Sequence, residues 1–236
     1  MKMCMVFISS LTNWLVNISL HRGGTQVNLP PSEEKRSDTF LRILEAAANV
    51  FSEAGFAGAR MDKIADRAGV NKAMIYYHIG DKETLYAEVI SNVIGNTAET
   101  IARKIQGVQE PEEKLRIYIR TLARNIDVNP QVAPIMMREV ASGGKHLPEV
   151  VARDIFRIVG LLTGILQEGI EKGLFHATIP FLIHIMVIGA IITYKTSAPI
   201  RARYDWLPPA IRNLDDKISG NIVREIEKLI LKAVKK

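Results

Sequence analysis

Cysteine is nearly missing from this 236-residue chain: the lone Cys4 excludes a disulfide framework and any multi-cysteine metal cluster. Aromatic residues are scarce at 6%, against a large stock of Ile, Leu, Val and Ala, which favours helix-on-helix packing over an aromatic-rich β-sandwich. No internal repeat, Gln/Asn tract or proline-rich tract occurs, which argues against solenoids and low-complexity binders. No segment alternates polar and apolar residues with the period of two that a half-buried strand needs. What is present is 47% apolar and 24% charged, an ordinary globular composition long enough to bury a core unaided.

Signatures of catalysis are missing too. The five histidines, His21, His78, His146, His176 and His184, form no HExxH or other ligand spacing, and no Walker loop, GxGxxG or GxSxG occurs. The expectation is therefore a chain without metal, cofactor or enzymatic activity.

Charge of one sign is in excess, at +6, which suggests an acidic partner. Its distribution weakens that argument. Residues 33–90 hold 8 basic and 10 acidic side chains, whereas residues 111–236 hold 19 basic and 13 acidic. Any nucleic-acid contact made by residues 33–90 must rest on particular side chains.

Residues 1–32 are read as an extension outside the fold. Met3–Leu20 is apolar, but Ser9, Ser10, Thr12, Asn13, Asn17 and Ser19 interrupt it, and it is short for a spanning helix of about 20 residues. Arg22-Gly23-Gly24 can be encoded by a purine-rich ribosome-binding sequence and Val27 by a GTG start, so the native chain is expected to begin near Val27. A disordered extension and a targeting segment are the alternatives.

From Ser37 onward the periodicity is helical. Phe40, Ile43, Leu44, Ala47, Val50 and Phe51 make one apolar face, which Gly55 ends. Short helices are expected over Met61–Ala68 and Lys72–His78, then a long one from Lys82 to about Gln106 with Asp81 as its N-cap. Further helices are expected near Glu112–Asp127, Gln131–Ala141, Leu147–Lys172, Thr178–Thr196 and Leu214–Val234, punctuated by Pro130, Gly143-Gly144, Gly173 and Pro208-Pro209. The long 196–213 connection has room for a helical turn. The fold class is all-α, about nine helices, with a three-helix domain at 33–81 and a helical domain at 82–236.

Two short helices separated by one glycine have the spacing of a helix-turn-helix. Ala65 sits where the helices approach, Gly69 suits a left-handed turn, and Val70 and Ile75 are expected to pack back on Ile64. Asn71 can cap the second helix. The run FSEAGFAGARMDKIADRAGVNKAMIYYHIGDKETLYAEVI resembles the DNA-binding domain of the TetR family of transcriptional regulators over residues 37–90. Three positions depart from that pattern: Ala59-Arg60 replace a capping Thr or Ser, Asn71 a common Ser, and Ile79 a usual Phe.

Lys72, Ala73, Met74 and Tyr76 lie on the early turns of the second helix and are expected to face the major groove. Tyr76, Tyr77 and His78 carry polar tips suited to phosphate, and Arg60 and Lys82 are further phosphate candidates, with Asn71 at the cap. One recognition helix reads few base pairs, so a two-fold homodimer on double-stranded DNA is expected, its reading heads about 34 Å apart on a near-palindrome. The resemblance implies dimerisation through the last two long helices. In the first of these the expected interface residues are Phe181, His184, Ile185, Ile188, Gly189 and Ile192.

The resemblance also implies a small-molecule pocket among the middle helices. Its candidate lining is Met136, Met137, Phe156, Leu162 and Leu166, with Tyr118, Arg120 and His146 as polar contacts, and the apolar composition suggests an apolar or amphipathic effector. The resulting expectation is a cytoplasmic, ligand-released repressor with no membrane partner. A ligand-independent architectural or cell-division factor of the same fold is the alternative.

Overall fold

The computed structural model describes residues 31–212 and 220–236. The readings for residues 1–26, and for the last helix between residues 214 and 219, lie outside the described residues. By its internal contacts the chain falls into two units. Only the opening turns of the first helix are described in Met1–Thr39, and Phe40–Lys236 holds every other element.

The first helix, α1, spans Pro31–Gly58. Ile43, Ala47 and Phe51 are fully buried on its inner face. Regular geometry stops at Gly55, whose φ of 69° only glycine adopts freely. Helices α2 (Met61–Ala68) and α3 (Lys72–His78) follow with the bounds that their periodicity predicts. The long α4 (Lys82–Ile105) begins at Asp81, whose Oδ1 accepts from the Thr84 N–H at 2.8 Å and from the Thr84 hydroxyl at 2.7 Å. Pro111 opens α5 (Pro111–Val128), where its missing N–H costs nothing.

Then come α6 (Val132–Ala141), α7 (Glu149–Glu171) and α8 (Pro180–Thr196). The connection after Thr196 holds two short helices, α9 (Ala198–Arg203) and α10 (Pro209–Arg212), where one helical turn is expected from sequence. The last described helix is α11 (Asn221–Val234). Among the described residues no strand occurs, only a single bridge between Phe175 and Lys235.

Helix α4 packs along α7 and α5, and α5 sits centrally, touching α4, α7, α8 and α11. The core is aliphatic, with Ile101, Leu115, Ile119, Leu162, Val187 and Ile191 fully buried. Helix α11 buries Val223, Ile226, Ile230 and Val234, the stripe of three- and four-residue steps that defines an amphipathic helix. Its buried Glu227 accepts from Arg120 at 2.6 and 2.9 Å and from Arg116 at 3.2 Å, fastening α11 to α5. The chain end is fastened separately: the His176 N–H donates to the Val234 carbonyl at 2.7 Å, and the Lys236 N–H to the Leu174 carbonyl at 3.1 Å. Between them Phe175 is fully buried over Gly169, where a Cβ would lie 2.0 Å from its ring.

Candidate nucleic-acid interface and effector region

The turn between α2 and α3 follows from three residues. Gly69 takes the left-handed conformation, at φ 64° and ψ 39°, and the Val70 N–H returns to the Ala65 carbonyl at 3.0 Å. Ala65 is buried at the approach of the two helices, and Ile64 and Ile75 are fully buried on either side. Asn71 then caps α3, its Oδ1 accepting from the Met74 N–H at 2.9 Å.

Only Ile75 of α3 is buried. Lys72, Ala73, Tyr76 and Tyr77 are exposed, and Met74 and His78 are half-buried. Tyr77 is 67% exposed, against 49% for Tyr76, with His78 edge-on to it at 5.2 Å. A polar, tyrosine-bearing helix face held out on one isoleucine can present its side chains to a groove without disturbing the core.

Sequence reasoning overlooked Asp62. Its Oδ1 lies 3.0 Å from Lys72 Nζ, and Arg60 stands 3.9 Å from its other oxygen. The hydrogen bond from Lys72, with both neighbouring cations, holds the Asp62 carboxyl below the usual carboxylate range, and Asp62 in turn raises Lys72. An acid at the second position of α2 is visible in the sequence, but it reads equally well as a complement to the helix dipole. Lys82 has a neighbour of another kind: its Nζ sits 4.6 Å over the Phe56 ring.

Helix α6 ties α1 to α4. Gln131 Nε2 donates to Asn49 Oδ1 at 3.0 Å, and Arg138 Nη2 donates to the Glu53 carbonyl at 2.9 Å. Buried Glu139 accepts from the Tyr86 hydroxyl of α4 at 2.6 Å and from the His146 N–H at 3.2 Å. The rings of Phe51, Phe56, Tyr86 and His146 close around this junction at 4.6 to 6.4 Å.

The expected effector residues do not form one group. Tyr118, Leu162 and Leu166 are buried in the body, whereas His146 stacks on Phe56 at the α6 junction. Met136 is half-buried and Met137 is exposed. Two members of the set lie apart from that interior. Phe156 is 66% exposed, because α7 turns it away from the core side that carries Ile158 and Leu162. Arg120 points out on the opposite side of α5 from Tyr118, where Glu227 and Glu113 engage it.

The outer side of α8 carries Phe181, Leu182, Ile185 and Met186, all nearly half exposed, with Ile188, Gly189 and Ile192 half-buried beside them. Its inner side buries Ile183, Val187 and Ile191. His184 is a further correction. It is only 6% exposed, faces inward, and its Nδ1 lies 2.7 Å from the Tyr118 hydroxyl oxygen. His184 lies one three-residue step before Val187, on the side that α8 buries, so one position of the expected interface belongs to the interior. The stretch Pro180–Arg203 is long and apolar enough to cross a membrane on length and composition alone. Among the described residues, no group of three or more His, Cys, Asp or Glu side chains is placed to hold a metal ion.

Comparison with known proteins bears on both halves. The family model of bacterial regulatory proteins of the tetR family matches residues 43–89, and that of the tetracyclin repressor-like C-terminal domain matches residues 111–200. The transcriptional repressor NicS of Pseudomonas putida is 28% identical over 182 residues, which cover 70% of this chain and 85% of that protein. The solved structure of HlyIIR, a hemolysin II transcriptional regulator, superposes with a TM-score of 0.58 at 27% identity, covering 85% of this chain and 99% of the other. The fold is also that of FadR from Bacillus subtilis in complex with stearoyl-CoA, with a TM-score of 0.63 at 22% identity over 81% and 97% of the two chains.

Proposed function

Because this chain belongs to the TetR family of bacterial DNA-binding transcriptional regulators, we propose that it acts in the cytoplasm as a homodimeric repressor, binding a near-palindromic operator until a small molecule releases it. Residues 33–81 form the reading head and 82–236 the effector and dimerisation body. The observation that carries the reading is α3: seven residues, capped by Asn71, with Ile75 its one buried residue and Lys72, Ala73, Tyr76 and Tyr77 exposed. Ala73 and Met74 face base edges, Lys72 reads guanine or holds phosphate, and Tyr76, Tyr77, His78, Arg60 and Lys82 hold phosphate.

The dimer forms through the outer side of α8, together with α11. That α8 surface is too apolar to remain in water, and a second copy covers it in an antiparallel four-helix arrangement. The two heads then stand about one DNA turn apart. Movement reaches them through α6, which is hydrogen-bonded to α1 by Gln131 and Arg138 and to α4 by Glu139. An effector that binds better when α6 and α4 are shifted lowers operator affinity by that difference, and only by that difference.

Selection of bound sequences from random duplex DNA tests the reading. The expected result is a palindromic motif with half-sites one turn apart. Salt-sensitive binding without a motif would instead favour an architectural protein.

A further inference from the structure

The interior of the body holds a line of polar side chains on one face of α5. Tyr118, Thr121 and Asn125 follow one another at steps of three and four residues, so they project the same way. Asn125 is satisfied, donating to the Thr97 hydroxyl and to the Val93 carbonyl of α4. Tyr118 and His184 satisfy each other, with their rings edge to face. Thr121 lies between these two pairs. It is 5% exposed, and its hydroxyl oxygen has no hydrogen-bond partner. Natural interiors rarely leave such a group, since an unmade buried hydrogen bond costs about 1–3 kcal/mol.

The charged side chains of α5 and α8 that are not exposed are all paired elsewhere. Arg116 and Arg120 leave α5 on its opposite side and hold Glu227, and Lys114 holds Glu168. Buried Arg201 bonds the Tyr194 carbonyl and the Ser197 hydroxyl. Buried Glu139 belongs to the α6 junction. The two titratable groups of the line itself are neutral at physiological pH: burial lowers the His184 pKa and raises that of Tyr118. Among the described residues, no hydrogen bond or ion pair joins a cation to Tyr118, Thr121 or His184. An ionised carboxylate or phosphate entering here would lose its hydration without gaining a counter-charge, and an ammonium would meet no carboxylate.

We propose that the part of the effector entering the body is uncharged: an apolar molecule with one hydroxyl group, which donates to His184 Nδ1 and accepts from the Tyr118 and Thr121 hydroxyls. The inference rests on the reading that this body takes a small molecule, and it specifies the chemistry of that site. Tyr118 and His184 exchange their mutual bond for bonds to the ligand, and Thr121 gains the partner it lacks. The number of satisfied groups therefore rises on binding. Leu162, Leu166 and Val187, buried in the same core as Tyr118, supply apolar side chains for the remainder.

The test uses the full chain and n-alkanols from hexanol to dodecanol, each beside the carboxylate of matching length, below their micellar concentrations. Binding is followed by calorimetry and by release of the selected operator duplex. At least one alkanol should bind about tenfold or more tightly than its carboxylate at neutral pH. Thr121→Val and Tyr118→Phe should each weaken that alkanol about five- to tenfold. Thr121→Val removes an unpartnered hydroxyl at nearly constant volume, so its thermal midpoint should hold or rise, which separates lost contact from lost fold. Carboxylates binding as tightly as alkanols would overturn the uncharged-ligand inference and leave the effector reading standing. Alkanol binding untouched by both substitutions would overturn the site. If no probe of either series binds, the uncharged-ligand inference falls, while operator release by a molecule of another class still tests the effector reading.

Discussion

Helices α3 and α8 both leave a face in water, yet those faces are built from opposite chemistries. Outside its one buried isoleucine, α3 presents lysine and two tyrosines, side chains with polar tips on apolar stems. Outside its buried Ile183, Val187 and Ile191, α8 presents Phe181, Leu182, Ile185 and Met186. The first kind of face is stable in water and stays available to a hydrated polyanion. The second is stable only when another apolar surface covers it, and a cluster of this kind marks an association surface. Exposure alone therefore says little about what a helix does. The chemistry of the exposed side decides whether it meets nucleic acid or protein.

The strongest way to break this comparison is Ile185→Asp. A charge in the middle of the α8 face should leave the helical circular dichroism signal intact, since Ile185 makes no part of the buried core. Sedimentation should then report a monomer, and operator affinity should fall by roughly 100-fold or more once the two heads no longer bind as one unit. A dimer that survives this substitution would mean that α8 is not the face that pairs.

A second change separates surface from interior within the body. Gly169→Ala places a methyl group 2.0 Å from the Phe175 ring and so acts on the packing that closes the chain end. Overpacking of this kind should cost about 3 kcal/mol, read as a lower midpoint in chemical denaturation. An unchanged midpoint would mean that Phe175 has another rotamer within reach.

Asp62→Asn sharpens the description of the α3 face. It frees Lys72 from the 3.0 Å ion pair without altering shape. Binding to random-sequence DNA should tighten a few-fold, and its salt dependence should steepen by up to about one unit, as one further lysine reaches phosphate. Unaltered salt dependence would show that Lys72 meets bases instead.

The smallest expected effect concerns Glu88, whose carboxyl is pushed up by burial. Its folded pKa lies above its unfolded value of about 4.3, so its stabilising contribution is complete below that pH and is lost as pH rises through the folded pKa. Glu88→Gln should therefore raise the thermal midpoint near pH 7 and leave it unchanged near pH 4. A gain at both values would point to packing rather than titration.

The helix-turn-helix was legible because its determinants are local. Ala65, Gly69, Asn71 and Ile75 each act through neighbours within a few residues, so spacing alone predicts both α2 and α3 to the residue. The same logic predicts Asp81 as a cap. The interior of the body was less legible, because a run such as PFLIHIMVIGAIITY is apolar on every side and carries no sign of which side turns inward. His184 was misplaced for that reason. Phe156 was misplaced because an aromatic at helical spacing gives no account of its orientation, and Asp62 was overlooked because its partner, Lys72, lies on the next helix.

The amino-acid sequence by itself determined the all-helical class, the head with its turn and caps, and the polar character of α3, because periodicity, glycine geometry and capping act over a few residues. Only the tertiary structure decided which side of α8 is buried, that Tyr118 meets His184, that Thr121 lies enclosed without a partner, and that Arg120 belongs to Glu227. Those pairings join residues 66 to 107 positions apart. They exist because helices packed at close-packed density leave each side chain one set of neighbours, which no local pattern encodes.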